Sequence, residues 1–140
     1  MQLTPLIAVH MCAAITAVGI GPVALWARRG NNPALQRPKL HRAFGYAWTA
    51  MMLAAAISAI FIRDYRLPNI AGYTPLHLFV PVTFYFLFCA FQRLAQGNIA
   101  GHRQAMQRLY ISACLVAGAF TLLPSRYLGN QLWSQMLRLV

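Results

Sequence analysis

The chain has 140 residues, of which 59% are hydrophobic and 9% are charged, and its formal net charge is +11. Soluble domains carry about 25% charged residues, so this composition excludes an ordinary soluble protein and indicates one domain embedded in lipid. Asp64 is the one acidic residue, which excludes paired-carboxylate hydrolysis, carboxylate-rich Ca²⁺ or Mg²⁺ sites and an acidic proton relay. The basic residues lie between apolar stretches rather than along a soluble face, so we expect no nucleic-acid partner.

Four apolar stretches approach or exceed the roughly 20 residues that cross a bilayer core. Within a single transmembrane domain of residues 1–140, they cover residues 6–27, 40–62, 75–91 and 105–123. Thr4-Pro5-Leu6 opens the first stretch and Thr74-Pro75-Leu76 opens the third. Threonine as N-cap with proline at the first helical position favours a helix start. We therefore predict an all-α membrane protein, a four-helix transmembrane bundle.

The tail over residues 125–140 has a different pattern. Its apolar residues recur every four positions: Leu128, Leu132, Met136 and Val140. This spacing predicts a short C-terminal amphipathic helix on the outer membrane surface. The same face would also suit docking of a partner subunit.

The distribution of basic residues predicts the orientation. Eight flank the first and third loops: Arg28, Arg29, Arg37, Lys39, Arg42, Arg93, Arg103 and Arg108. Four lie on the opposite side: Arg63, Arg66, Arg126 and Arg138. The richer side should be cytoplasmic. We expect a multi-pass protein of the bacterial inner membrane, with both termini on the periplasmic or outer side.

The two halves of the chain share several landmarks. Besides the Thr-Pro-Leu triplets, the first helix ends in Arg29-Gly30-Asn31 and the third in Arg93 with Gly97-Asn98 shortly after it, and the next helices open with His-Arg. Aligning Gly30 with Gly97 also places His10 on His77. Aligning the two Thr-Pro-Leu triplets instead gives an offset that differs by about one helical turn. The pattern favours two duplicated helical hairpins.

Each predicted helix carries one histidine. His10 and His77 lie near the outer ends of their helices, and His41 and His102 lie near the inner ends. Histidines at matching depth on different helices can supply the two axial ligands of a haem iron. Two such irons would stand about 20 Å apart along the membrane normal. The competing interpretation is that the histidines make only polar contacts at helix interfaces.

Arg42 and Arg103 follow the two inner histidines directly. Guanidinium groups bind carboxylates through charge-assisted hydrogen bonds, so these arginines are candidates to bind the propionates of an inner haem. The predicted cofactor is one or two haem b groups.

The chain resembles a family of small bacterial predicted membrane proteins, domain-of-unknown-function family 2306. The residues that carry this resemblance are His10, Gly21-Pro22, Arg29-Gly30, His41-Arg42, Gly45, His77, His102-Arg103, Met106 and Leu123-Pro124-Ser125-Arg126. A weaker similarity is to dihaem cytochromes b of the ferric-reductase and ascorbate-dependent type. That similarity implies pairing of His10 with His77 and of His41 with His102. The histidines lie closer to the helix ends than in those cytochromes.

The leading hypothesis is a haem b cytochrome that carries electrons within or across the membrane, from a quinol to a partner. With haem bound, the chain would be an electron-transfer protein or an oxidoreductase subunit. The alternative is a non-catalytic accessory subunit of a larger respiratory or transport complex. A third hypothesis is a haem- or copper-handling protein. Met106 lies one turn from His102 and Met11 is next to His10, but adjacent residues point to different faces of a helix.

Overall fold

The computed structural model describes residues 4–28, 37–63, 65, 70–123 and 127–137. Its elements are α1 (Pro5–Trp26), α2 (Pro38–Phe61), a 3₁₀ turn (Pro75–Leu78) leading into α3 (Phe79–Ala95), α4 (Ile99–Leu109), a π-helical segment (Tyr110–Val116), α5 (Ala117–Thr121) and α6 (Tyr127–Met136). These residues contain no strand, only an isolated bridge between Ile70 and Tyr73. The predicted all-α fold is confirmed.

Within the described residues, three helices are long and apolar enough to cross a membrane: Pro5–Trp26, Pro38–Phe61 and Pro75–Ala95. At 22 residues, α1 is about 33 Å long, which matches the roughly 30 Å hydrocarbon core. The fourth apolar stretch is helical from 99 to 121 but changes its hydrogen-bond pattern at Tyr110. Its crossing of the membrane therefore stays a prediction.

Two threonines begin helices, as their triplets predict. Thr4 is the N-cap of α1, where its hydroxyl oxygen accepts the Ile7 N–H at 3.3 Å. Thr74 caps the turn that leads into α3 and forms a capping box with His77. Each threonine satisfies a backbone group that would otherwise lack a partner at the helix start.

The turn between α3 and α4 is shorter than the sequence predicts. Gly97 has φ +73°, and the Gly97 and Asn98 N–H groups bond back to the carbonyls of Leu94 and Arg93. This Schellman motif ends α3 at Ala95 instead of residue 91. Asn98 then caps α4 by accepting the Gly101 N–H at 2.8 Å. Helix α4 therefore begins at Ile99, six residues before the predicted 105.

The corresponding Gly30-Asn31 of the first hairpin lies outside the described residues. Helix α2 opens with Pro38 in its first turn, two residues before the predicted start. Both α1 and α2 end one residue before their predicted limits.

The helices pack as two neighbouring hairpins. Helix α1 lies against α2, α3 lies against α4, and α2 contacts α3. The central cluster draws on all four apolar stretches and comprises Ala17, Trp48, Met52, Leu87, Leu109 and Cys114. Small buried residues on α1, namely Ala13, Ala17, Gly21 and Ala24, allow close approach of the other helices.

The C-terminal helix α6 covers ten residues within the predicted tail. Its Trp133 indole N–H donates to the Leu122 carbonyl oxygen at 3.1 Å. This bond ties α6 back to the end of α5. The side chains of Leu128, Met136 and Val140, which define the predicted spacing, lie outside the described ones.

Candidate functional site

His10 joins α1 to α2. Its Nδ1 lies 3.0 Å from the Ala55 carbonyl oxygen and 3.1 Å from Ser58 Oγ. The Ser58 hydroxyl itself contacts the Ala54 carbonyl at 2.7 Å and the Ala55 carbonyl at 3.0 Å. Because a carbonyl oxygen only accepts, this geometry requires the proton on Nδ1 of a neutral His10. Nε2 is then left with a lone pair.

His41 and His102 occupy equivalent places in the two hairpins. Each is the fourth residue of its helix, and each ring is half-buried. His41 Nδ1 bonds the Ala24 carbonyl of α1 at 2.8 Å, and His102 Nδ1 bonds the Ala90 carbonyl of α3 at 2.9 Å. In both hairpins the histidine therefore bonds back to the helix that precedes it.

The shared feature of these three histidines is an occupied Nδ1. In the described part of the chain, no hydrogen bond engages Nε2 of His10, His41 or His102. Histidines that bind metals usually donate the other ring N–H to a carbonyl or carboxylate, which fixes the tautomer and the ring orientation. The same bond also satisfies a buried imidazole that has no further role. The orientation of these three rings is therefore suitable for an axial ligand of haem iron, and it is equally suitable for histidines that only join helices.

His77 differs because both its ring nitrogens are engaged. Nδ1 accepts the Thr74 N–H at 3.1 Å, and Nε2 lies 2.9 Å from the Ile62 carbonyl oxygen, to which it donates. One imidazole thus links the end of α2 to the start of α3. Axial ligation through Nε2 would require His77 to give up the bond to Ile62.

The outer pair converges on the end of α2. His10 contacts Ala55 and His77 contacts Ile62. His41, Trp48, Ala55 and Ile62 follow one another at intervals of seven residues. Seven residues make nearly two full turns, so these positions form one stripe along α2. From His41 to Ala55 the stripe rises about 21 Å, close to the spacing that the sequence predicts for two irons.

The inner pair is not joined directly. His41 lies against α1 and His102 lies against α3, with the Phe91 ring 6.5 Å from the His102 ring. Among the residues that the structure describes, no group of three or more His, Cys, Asp or Glu side chains is placed to hold a metal ion. Arg42 and Arg103 are exposed.

A polar cluster above the outer pair was not expected from the sequence. The Arg63 guanidinium stands 3.7 Å from the centre of the Tyr73 ring and donates to the Ala71 carbonyl oxygen at 3.1 Å. The Tyr73 ring meets the His77 ring edge-on at 5.0 Å. The sequence does indicate the contact between His77 and Thr74, because the two residues have the three-residue spacing of a capping box. No such spacing marks Ser58 as a partner of His10.

Comparison with known proteins identifies the family. The family model described as "Predicted membrane protein (DUF2306)" matches residues 7–134. No curated protein and no solved structure matches the chain. The similarity to dihaem cytochromes b therefore rests on the residue pattern alone. Since the match covers nearly the whole sequence, the chain belongs to the DUF2306 family of predicted membrane proteins.

Proposed function

We propose that this protein is a membrane-embedded haem b cytochrome that carries electrons within or across the bilayer. The supporting observation is the common orientation of His10, His41 and His102, each with Nδ1 on a carbonyl oxygen and with no hydrogen bond to Nε2 from the residues that the structure describes. A carbonyl that accepts from Nδ1 also raises the basicity of Nε2 and so improves it as a ligand.

His41 and His102 are the proposed ligands of an inner haem. Their rings are already oriented by Ala24 and Ala90, so binding need not first break a hydrogen bond. The exposed Arg42 and Arg103 follow them and would bind the propionates. A haem b with two axial imidazoles supplies one-electron oxidation and reduction.

His10 and His77 are the proposed ligands of an outer haem. His77 must exchange its bond to the Ile62 carbonyl for the iron. The net cost of such a hydrogen bond is about 1 kcal/mol, which is small beside a metal–imidazole bond. We expect the inner haem to be held more firmly than the outer one.

The proposal includes a fourth membrane crossing by the helical run over residues 99–121. With four crossings, both termini lie on the outer side and the eight flanking basic residues face the cytoplasm of a bacterium. The proposed electron donor is a quinol. The proposed acceptors are other subunits of a membrane redox complex.

The test uses asparagine, because its side-chain amide can replace the Nδ1 donor but is a poor iron ligand. The protein is purified in detergent, and a reduced-minus-oxidised visible spectrum is recorded for the wild type, His41→Asn and His102→Asn. We expect sharp bands of six-coordinate haem b in the wild type and weaker bands in both variants. Circular dichroism should show all three proteins folded.

A folded wild type without haem would contradict the proposal. The non-catalytic accessory subunit would then be the better account, since the same hydrogen bonds also satisfy helix interfaces. Asparagine variants with unchanged haem spectra would also overturn the ligand assignment.

A further inference from the structure

Two sulfur atoms meet at the centre of the bundle, away from the four histidines. The Cys114 thiol donates to Met52 Sδ, with 3.5 Å between the sulfurs. Both side chains are only 5% exposed. Met106 packs against the same cluster.

The π-helical segment places Cys114 at this point. The buried positions before it, Ala105 and Leu109, are four residues apart, whereas Cys114 follows Leu109 by five. In an uninterrupted α-helix, Ala113 would instead be the next residue on this face. The wider π turn adds one residue, and such segments occur frequently at functional sites.

A buried hydrogen-bond donor lies beside the cysteine. Trp48 is 4% exposed, and its Nε1 is the one fully buried side-chain nitrogen or oxygen among the described residues that lacks a hydrogen-bond partner. It lies next to the Cys114 sulfur but outside hydrogen-bond geometry. An indole N–H can only donate, and a neutral thiol is a weak acceptor. A metal-bound thiolate would be a stronger one.

We infer that Cys114 and Met52 form a two-coordinate site for Cu(I). Thiolate and thioether are the soft ligands that favour this ion. Binding exchanges the thiol proton for the metal: Cys–SH and Cu⁺ give Cys–S–Cu and H⁺, with no oxidation or reduction.

Charge argues for a monovalent ion. One thiolate and one Cu⁺ sum to zero, whereas a divalent metal would leave a net positive charge in the bundle core. An uncompensated charge in such surroundings is costly. This site is independent of the haem proposal because none of its side chains is a proposed haem ligand.

The test is an anaerobic competition in detergent between the purified full-length protein and bathocuproine disulfonate loaded with Cu(I). We expect the wild type to withdraw about one Cu(I) per chain, with thiolate-to-metal absorption in the near ultraviolet. Cys114→Ser and Met52→Leu each remove a proposed metal ligand. Each should therefore weaken binding by more than the roughly 10- to 100-fold loss of affinity that follows removal of a group hydrogen-bonded to a ligand. Cys12→Ser and Cys89→Ser, which change cysteines outside the cluster, should bind as the wild type does.

Trp48→Phe provides a second readout because it leaves every sulfur in place. We expect it to weaken binding by about tenfold and to shift the absorption, as removal of a ligand's hydrogen-bond donor should. If Cys114→Ser fails to fold, Met52→Leu and Trp48→Phe decide the question. A wild type that takes no Cu(I) from the competitor, or a Cys114→Ser variant that binds equally well, would overturn the site.

Discussion

The orientation of each imidazole depends on a single backbone carbonyl. Ala24, Ala55 and Ala90 supply these oxygens to His41, His10 and His102. Alanine leaves room for a ring to reach the backbone of the neighbouring helix, where a larger side chain would stand in the way. These alanines are therefore as much part of the candidate site as the histidines.

His77 allows capping to be separated from ligation. Because glutamine is an ordinary capping-box residue, His77→Gln should keep the link to Thr74 and lose only the bond to Ile62, at a cost of about 1 kcal/mol. His77→Ala loses the contacts to both Thr74 and Ile62 and should unfold more easily, by about 2 kcal/mol. Thermal unfolding in detergent measures the difference. Equal stability of the two variants would show that the cap contributes nothing.

At the scale of elements, the close packing of α1 depends on one glycine. A Cβ at Gly21 would stand 2.9 Å from Trp48 Nε1 and still closer to the Tyr110 ring, whose hydroxyl donates to the Val18 carbonyl. At Gly21, which has no side chain, α1 therefore directly contacts the Trp48 indole of α2 and the π-helical segment. This contact joins the two hairpins.

Gly21→Ala should destabilise the protein by about 1–3 kcal/mol, because the added methyl group must displace two large rings. Gly19→Ala is the matched control. It lies on the same helix with nothing within 4 Å of its added Cβ, and it should stabilise by about 0.5–1 kcal/mol through helix propensity. Unfolding midpoints in detergent should move in opposite directions. A Gly21→Ala variant as stable as Gly19→Ala would contradict the close contact.

At the scale of the whole molecule, helix identity could be predicted from the sequence, but helix irregularity could not. Apolar length and the Thr-Pro starts located α1, α2 and α3, because bilayer thickness and capping act on local sequence. The early start of α4 depends on Gly97 and Asn98, which the sequence displays but which an apolar-window search passes over. The π-helical segment has no such local signal, since it reflects how Leu109 and Cys114 both reach the core.

The candidate site was only partly accessible to the same reasoning. Residue type and helix position singled out the histidines. Their ring orientation depends on contacts 12 to 48 residues away, which no periodicity contains. The contact of His77 Nδ1 with Thr74 follows from a local motif that the sequence does show, whereas the contact of Nε2 with Ile62 does not.

The predicted orientation has a direct test in reporter fusions. Eight basic residues flank the first and third loops, and four lie on the other side. This difference should hold both termini outside. Alkaline phosphatase fused after Val140 should be active, and the same enzyme inserted between Asn31 and Asn32 should be inactive. An inactive C-terminal fusion that is produced at a normal level would instead indicate an odd number of crossings.

The haem proposal requires two imidazoles from different helices to bind one haem iron. Electron paramagnetic resonance of the oxidised, purified protein tests this most directly, because bis-imidazole ligation gives a low-spin ferric signal. We predict such a signal in the wild type and its weakening in His41→Asn. A haem-containing preparation with only high-spin iron, or one with no haem signal, would contradict the account.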